Sequence, residues 1–205
     1  MTATALIAFV LAAGLLTVTP GIDTALVLRT AGVEGARKAA LAGLGIALGC
    51  LAWGVFVALG LGLLLQASEL AYTILRWAGA AYLVWLGVKL IRSPREGVVQ
   101  GEAEATGGGG WFWRGLLTNL LNPKVGIFYV SFLPQFIPTG ADVQSTTILL
   151  AAIHAGLGLA WFGALILATR PIAAALRRPG TVRLLDRLTG GLFLMFGARL
   201  ALVRD

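Results

Sequence analysis

Gly14-Leu15-Leu16-Thr17-Val18-Thr19-Pro20-Gly21-Ile22-Asp23 and Gly115-Leu116-Leu117-Thr118-Asn119-Leu120-Leu121-Asn122-Pro123-Lys124 are two apolar stretches, each interrupted by a proline with a charged residue just behind it. Irregular backbone at membrane depth survives only where it is buried in protein or lines a wet cavity. Matching interruptions in the two halves of a chain point to a transporter's substrate site. An acid in one and a base in the other sharpen that pointing.

The surrounding composition makes membrane depth the right frame. Of 205 residues, 58% are hydrophobic and only 12% are charged, and the mean hydropathy is +0.88. A soluble domain carries roughly a quarter charged residues, so this chain has too little polar surface to face water all round. The net charge of +7 does not imply nucleic acid. Its basic residues sit in short clusters between apolar runs, as cytoplasmic loops do. A single cysteine, Cys50, excludes an internal disulfide and any paired-cysteine site, and reads as a small buried hydrophobe.

Apolar runs of about 20 residues, the length that crosses a ~30 Å hydrocarbon core, place spans at about 6–28, 39–65, 70–88, 113–136, 146–168 and 182–203. No positive charge precedes the first run, which is also too long for the core of a cleavable signal peptide. Arg29, Arg37, Lys38, Lys89, Arg92, Arg95, Arg114, Arg170, Arg177, Arg178, Arg183 and Arg187 then share one side, against Arg76, Arg199 and Arg204 on the other. By the positive-inside rule both termini lie outside the cytoplasm of a multi-pass cytoplasmic-membrane protein. The glycine-rich segment 97–110 reads as a flexible cytoplasmic linker. Trp111 and Trp113 behind it suit the headgroup zone, and 171–181 reads as a second basic loop.

The linker separates two similar halves. Arg76, Gly79, Tyr82, Leu83, Trp85, Gly87, Lys89 and Leu90 match Arg187, Gly190, Phe193, Leu194, Phe196, Gly197, Arg199 and Leu200 with one residue skipped. Gly-Leu-Leu-Thr precedes both prolines. The expected fold is therefore all-α, with six transmembrane helices in two three-helix repeats, 1–96 and 111–205, forming one domain. The first helix of each repeat is broken at proline. Three is odd, so the second repeat inserts upside down, the arrangement that supports alternating access around a midplane site.

The breaks carry the chemistry. Proline cannot donate the i→i−4 hydrogen bond, so the carbonyls before Pro20 and Pro123 need other partners: a substrate, an ion or water. Gly21 adds backbone freedom and room for close approach. A restarting half-helix exposes N–H groups that favour a carboxylate. Thr17, Thr19, Thr24, Asn119 and Asn122 add neutral polar contacts. Lys124 lies ten residues past Arg114, about 15 Å at helical rise and so near mid-bilayer. Asp23 lies nearer the cytoplasm. A charge at the centre costs at least ~2.5–3.5 kcal/mol, so it normally faces the bundle interior and finds a partner. Asp23 is expected to bind a substrate ammonium or a proton, and Lys124 to attract a carboxylate. The structural alternative is a fixed Asp23–Lys124 pair, or separate pairs, that merely holds two kinked helices together.

His154, mid-span, is a candidate proton relay, or simply a neutral histidine bonded to a neighbouring helix. Alone it makes no metal site. Gly43, Gly45, Gly49, Gly54, Gly60 and Gly62 read as close helix packing. No Ser-His-Asp array or phosphate loop marks an enzyme or an ATP-driven pump, and no cofactor is implied.

Thr19-Pro20-Gly21, the Arg29…Gly32-x-x-Gly35 connection, the Gly79 to Gly87 stretch, Asn119-Leu-Leu-Asn122-Pro123-Lys124 and Phe132-Leu-Pro134-Gln135-Phe136 together resemble the LysE-type amino-acid exporters, including their lysine and homoserine/threonine efflux branches. The resemblance covers nearly the whole chain. It implies a secondary transporter that exports amino acids or related small amines, using the proton gradient. The family often has a second proline and then asparagine where this chain has Ile22 and Asp23; an acid there favours a cation or proton, whereas an amide stays neutral. Expected partners are an amino-acid or small-amine substrate, a proton and the lipid bilayer, with a homodimer allowed and no nucleic acid. A divalent-cation or other ion exporter is the rival class, but intramembrane carboxylate, Cys and His ligands are few. A non-transporting scaffold would not need charged breaks in both halves.

Overall fold

The computed structural model describes residues 2–67, 69–94, 110–168, 174–175 and 178–202. Linker residues 97–109 lie outside them, as do Arg95, Arg170, Arg177 and Arg204. Among the described residues the chain is all-helical, without strands. In chain order the helices are α1 (Ala3–Val18), α2 (Ile22–Val33), α3 (Ala36–Ala67), α4 (Glu69–Arg92), α5 (Trp111–Leu120), α6 (Pro123–Ile127), α7 (Val143–Leu167) and α8 (Pro179–Leu202). A π-helical turn, Phe128–Phe132, and a 3-10 turn, Leu133–Phe136, extend α6.

Both expected breaks are present. α1 and α2 meet at 54° across Thr19-Pro20-Gly21, and α5 meets the α6 segment at 52° across Leu121-Asn122. Each follows from its proline, though differently. Pro20 sits between two helices, with Gly21 extended as the N-cap of α2. Pro123 is the first residue of α6, where its fixed φ suits a helix start and its missing N–H is not needed. Asn122 caps that start, its Oδ1 accepting the Lys124 N–H at 3.0 Å. Pro134, farther along, lacks the N–H that would bond the Val130 carbonyl, and the chain there passes from π to 3-10 geometry.

Among the described residues two helices, α3 and α7, contain stretches long and apolar enough to cross a membrane, or up to four spans if each bent pair counts as one. These match the runs read at 6–28, 39–65, 113–136 and 146–168. α4 and α8 are each 24 residues long, about 36 Å at helical rise, but charged residues along them lower their hydropathy. The outer surface carries exposed large hydrophobics, including Leu121 at 78% and Leu167 at 90%. Such an exterior would be costly in water and is favourable in hydrocarbon. The Arg114 guanidinium stacks on Trp111, 4.6 Å from the ring centroid, a cation–π contact. Outside the spans, hydrogen bonds from Ser145 hold the Asp142 carboxyl below its ordinary range, capping α7. That cap is intact at neutral pH and is lost as pH falls through the lowered value.

Packing follows the glycines, because helices already in lipid gain chiefly from close van der Waals approach. α3 packs against α5 and α7, and α4 against α8. A Cβ on Gly45 would overlap the Phe112 carbonyl, and one on Gly115 the Ala42 carbonyl. Gly49 lies against the Asn119 amide, Gly54 against Ala151 and Gly43 against Phe162. A Cβ on Gly60 would meet nothing within 4 Å, and the surroundings of Gly62 and the Arg76 side chain lie outside the described set. Two apolar clusters result. The first includes Phe9, Phe128, Phe132, Phe136, Phe193 and Phe196; the second includes Leu26, Val27, Ala39, Ala42, Ile46, Phe162 and Leu165.

Gly115→Ala is expected to overpack the α3–α5 crossing by about 1–3 kcal/mol, lowering the Tm in detergent. Gly14→Ala, where a Cβ meets nothing within 4 Å, should hold or slightly raise it.

Candidate functional site

The two breaks answer each other. Pro20 leaves the Leu16 carbonyl without its i+4 donor, and the Lys124 ammonium donates to that carbonyl at 3.0 Å. It also donates to the Thr19 carbonyl at 3.0 Å. A cation at the C-terminal end of α1 is favoured by the helix dipole as well as by the orphan carbonyls. The partner expected from outside the protein is thus supplied from within it, by the base of the other break.

The reverse link runs from Asp23. It stands in the first turn of α2, where the dipole favours an anion, and its Oδ2 accepts from Asn119 Nδ2 at 2.9 Å. Asn119 is four residues before Pro123, as Leu16 is four before Pro20. Each charge therefore reaches back to the helical end that precedes the other proline. The Asn119 amide orientation follows from this contact, since a carbonyl oxygen turned toward Asp23 would repel it. The same amide nitrogen reaches Cys50 Sγ at 3.5 Å. Asn122 and Lys124 add to the electrostatic surroundings of Asp23. Asp23 Oδ1 is buried without a hydrogen-bond partner among the described residues.

These groups line a cavity of about 50 Å³, room for a few waters but below the ~150 Å³ of a cavity that admits benzene. Of the residues expected from sequence, Thr17, Thr19, Gly21, Asp23, Thr24, Asn119, Asn122, Lys124 and His154 line it. Pro20 and Pro123 are not among the lining residues; they shape the breaks. Pro123 instead helps line a second cavity of about 380 Å³, beside Trp53, Gly79 and Tyr82, and Asn122 lines both cavities. Among the described residues, no three His, Cys, Asp or Glu side chains gather into a metal-binding group.

Several contributors were not read from the sequence. Cys50 is buried as expected, yet it also lines the cavity. Ile46, Ala47, Ala155, Gly158 and Phe162 form much of the remaining wall. Thr189 on α8 is fully buried, with its hydroxyl 2.6 Å from that of Thr19. Thr19 donates to the Leu15 carbonyl at 2.6 Å, so Thr189 must be the donor between the two hydroxyls. Tyr129, in the π turn, places its hydroxyl 3.1 Å from His154 Nδ1. A π turn inside a span was the available signal, since such turns gather at functional sites, but it has no simple sequence signature.

Lys124→Met removes the ammonium donor from the Leu16 and Thr19 carbonyls. It should destabilise the protein by about 1–3 kcal/mol, read as a lower Tm in detergent. Lys124→Arg should recover part of the loss.

The family profile described as "LysE type translocator" matches residues 15–204. The chain is 34% identical to the homoserine/homoserine lactone efflux protein of Salmonella typhi, over 96% of each chain. It is 33% identical to the leucine efflux protein of Enterobacter sp. (strain 638), over 94% of this chain and 93% of that one. It is also 33% identical to the threonine efflux protein of Escherichia coli (strain K12), over 90% of this chain and 91% of that one. No solved structure matches it. A profile match over almost the whole chain, around two proline breaks braced by opposite charges, places this protein in the LysE-type translocator family, a transporter rather than an enzyme.

Proposed function

We propose that the protein exports amino acids or related small amines across the cytoplasmic membrane by proton antiport. The observation that carries this reading is the reciprocal bracing of the breaks around a cavity, with Asp23 on Asn119 and Lys124 on the α1 carbonyls. The efflux relatives support an amino-acid substrate.

The site suits a zwitterion by exchange of equivalent bonds. A substrate ammonium takes over the Leu16 and Thr19 carbonyls from Lys124 and engages Asp23, whose Oδ1 is buried. Lys124, released, pairs with the substrate carboxylate near the α6 start. The two carbonyls that Lys124 leaves are taken up by the incoming ammonium, which keeps the cost of the swap low. In the antiport cycle, Asp23 accepts a proton from the extracytoplasmic side as the substrate leaves, then surrenders it to the cytoplasm before the next substrate binds. His154, bonded to Tyr129, is the candidate relay.

Alternating access rests on the six-span inverted repeat, with residues 1–96 and 111–205 as its units and both termini extracytoplasmic. The α4–α8 contact supports that symmetry. Gly87 packs on Gly190, while Gly197 packs on Ala80, next to Gly79. Exchanging the repeat equivalents maps the first contact to within one residue of the second. In this orientation the phenylalanine-rich cluster lies on the extracytoplasmic side and the Leu26–Phe162 cluster on the cytoplasmic side, and each must open in turn. A homodimer is compatible with this scheme, which needs only one chain.

The test uses everted membrane vesicles with an acid interior and labelled threonine, leucine or homoserine. Uptake should follow the pH gradient and collapse with a protonophore. Asp23→Asn and Lys124→Gln, inserted and folded, should each lower uptake roughly 10–100-fold, the scale of a lost charge-assisted bond. Parental uptake in both variants would remove the site assignment, and uptake indifferent to the gradient would remove antiport.

A further inference from the structure

The cavity has two kinds of lining. One is polar: Thr19, Asp23, Asn119, Asn122 and Lys124. The other is apolar: Ile46, Ala47, Ala155, Gly158 and Phe162. Asp23 and Lys124 are the Asp, Glu, Lys or Arg residues in the lining. If the substrate is an amino acid, as proposed above, its own ammonium and carboxylate engage both. Its side chain is then left to the apolar wall.

Leu16 and Val125 also line the cavity but pack into the phenylalanine-rich cluster; on the side of the second cluster the wall has one large side chain able to turn aside. Ala47 and Ala155 have no rotamers, and the β-branched Ile46 is stiff. Phe162 is almost fully buried at 6% exposure and belongs both to the cavity and to the Leu26–Leu165 cluster. It backs onto Gly43, whose added Cβ would stand 3.4 Å from it. Gly158 lies four residues before Phe162 on α7, and so on the same helix face. A Cβ there would meet Phe162 at 3.8 Å and no other atom within 4 Å, an ordinary contact. Glycine at 158 thus leaves open a volume that the backbone packing does not require to be open.

We propose that Phe162 and Gly158 form the subsite for the substrate's side chain, and that Phe162 sets the upper size limit of what is exported. A cavity of about 50 Å³ cannot enclose an amino acid unless a lining group moves, and Phe162 is the wall residue with both the bulk and the freedom to do so. Its place in the second cluster links that movement to the opening of the same face.

The experiment is competition among labelled threonine, leucine and phenylalanine for uptake into everted vesicles. Phe162→Leu should raise the phenylalanine-to-threonine ratio about tenfold, and Gly158→Ala should lower the leucine-to-threonine ratio by a similar factor, the scale of one methyl or methylene in an apolar pocket. If Phe162→Leu does not insert, Gly158→Ala decides alone, since its added methyl fits the fold. A transporting parent whose variants keep its size order overturns the subsite while leaving the exporter reading intact. A parent that moves none of the three, nor labelled homoserine, overturns both.

Discussion

A proline lacks one hydrogen, and much of this structure is arranged around that lack. Pro20 cannot serve the Leu16 carbonyl, and in hydrocarbon no water stands ready to do so. The Lys124 ammonium does it instead, from the other half of the chain. The same contact solves a second problem, because a charge within an apolar span needs a partner as much as an orphan carbonyl does. Two costly features cancel by meeting, and the α1 end and the α6 start are thereby held together.

Asp23 and Asn119 complete the arrangement in the opposite direction. The acid sits at the start of α2, and the Lys124 ammonium reaches the C-terminal end of α1, each at a terminus whose dipole favours it. The polar bonds within the site are therefore suited to exchange as well as to support. A substrate with an ammonium and a carboxylate offers the same donor and acceptor types that Lys124 and Asp23 already use. The proposed cycle needs no new kind of interaction, only a substitution of partners. Around it the glycines of α3 let α5 and α7 approach closely, which keeps the cavity small.

Much of this was legible in the residues. The two breaks, the helical class and nine of the cavity's lining residues could be named from proline, glycine and intramembrane charge, because each is a rare residue type with a strong local consequence. Other residues gave no such signal. Phe162, Ile46 and Ala155 are ordinary apolar residues in apolar spans, and nothing local distinguishes a cavity wall from a lipid-facing surface. Thr189 lies within the repeated stretch of α8, yet its bond to Thr19 spans 170 positions.

The sequence alone determined that backbone regularity would fail at Pro20 and Pro123, since a missing N–H and a fixed φ act whatever the surroundings. It also determined that Asp23 and Lys124 would have to turn inward, because charge is costly in hydrocarbon. Tertiary structure decided which groups would meet them. Lys124 takes the Leu16 and Thr19 carbonyls, and Asp23 takes Asn119, because the α3–α5 crossing brings segments a hundred residues apart to the same depth. Partner choice at that range depends on how helices cross, and no local rule of spacing contains it.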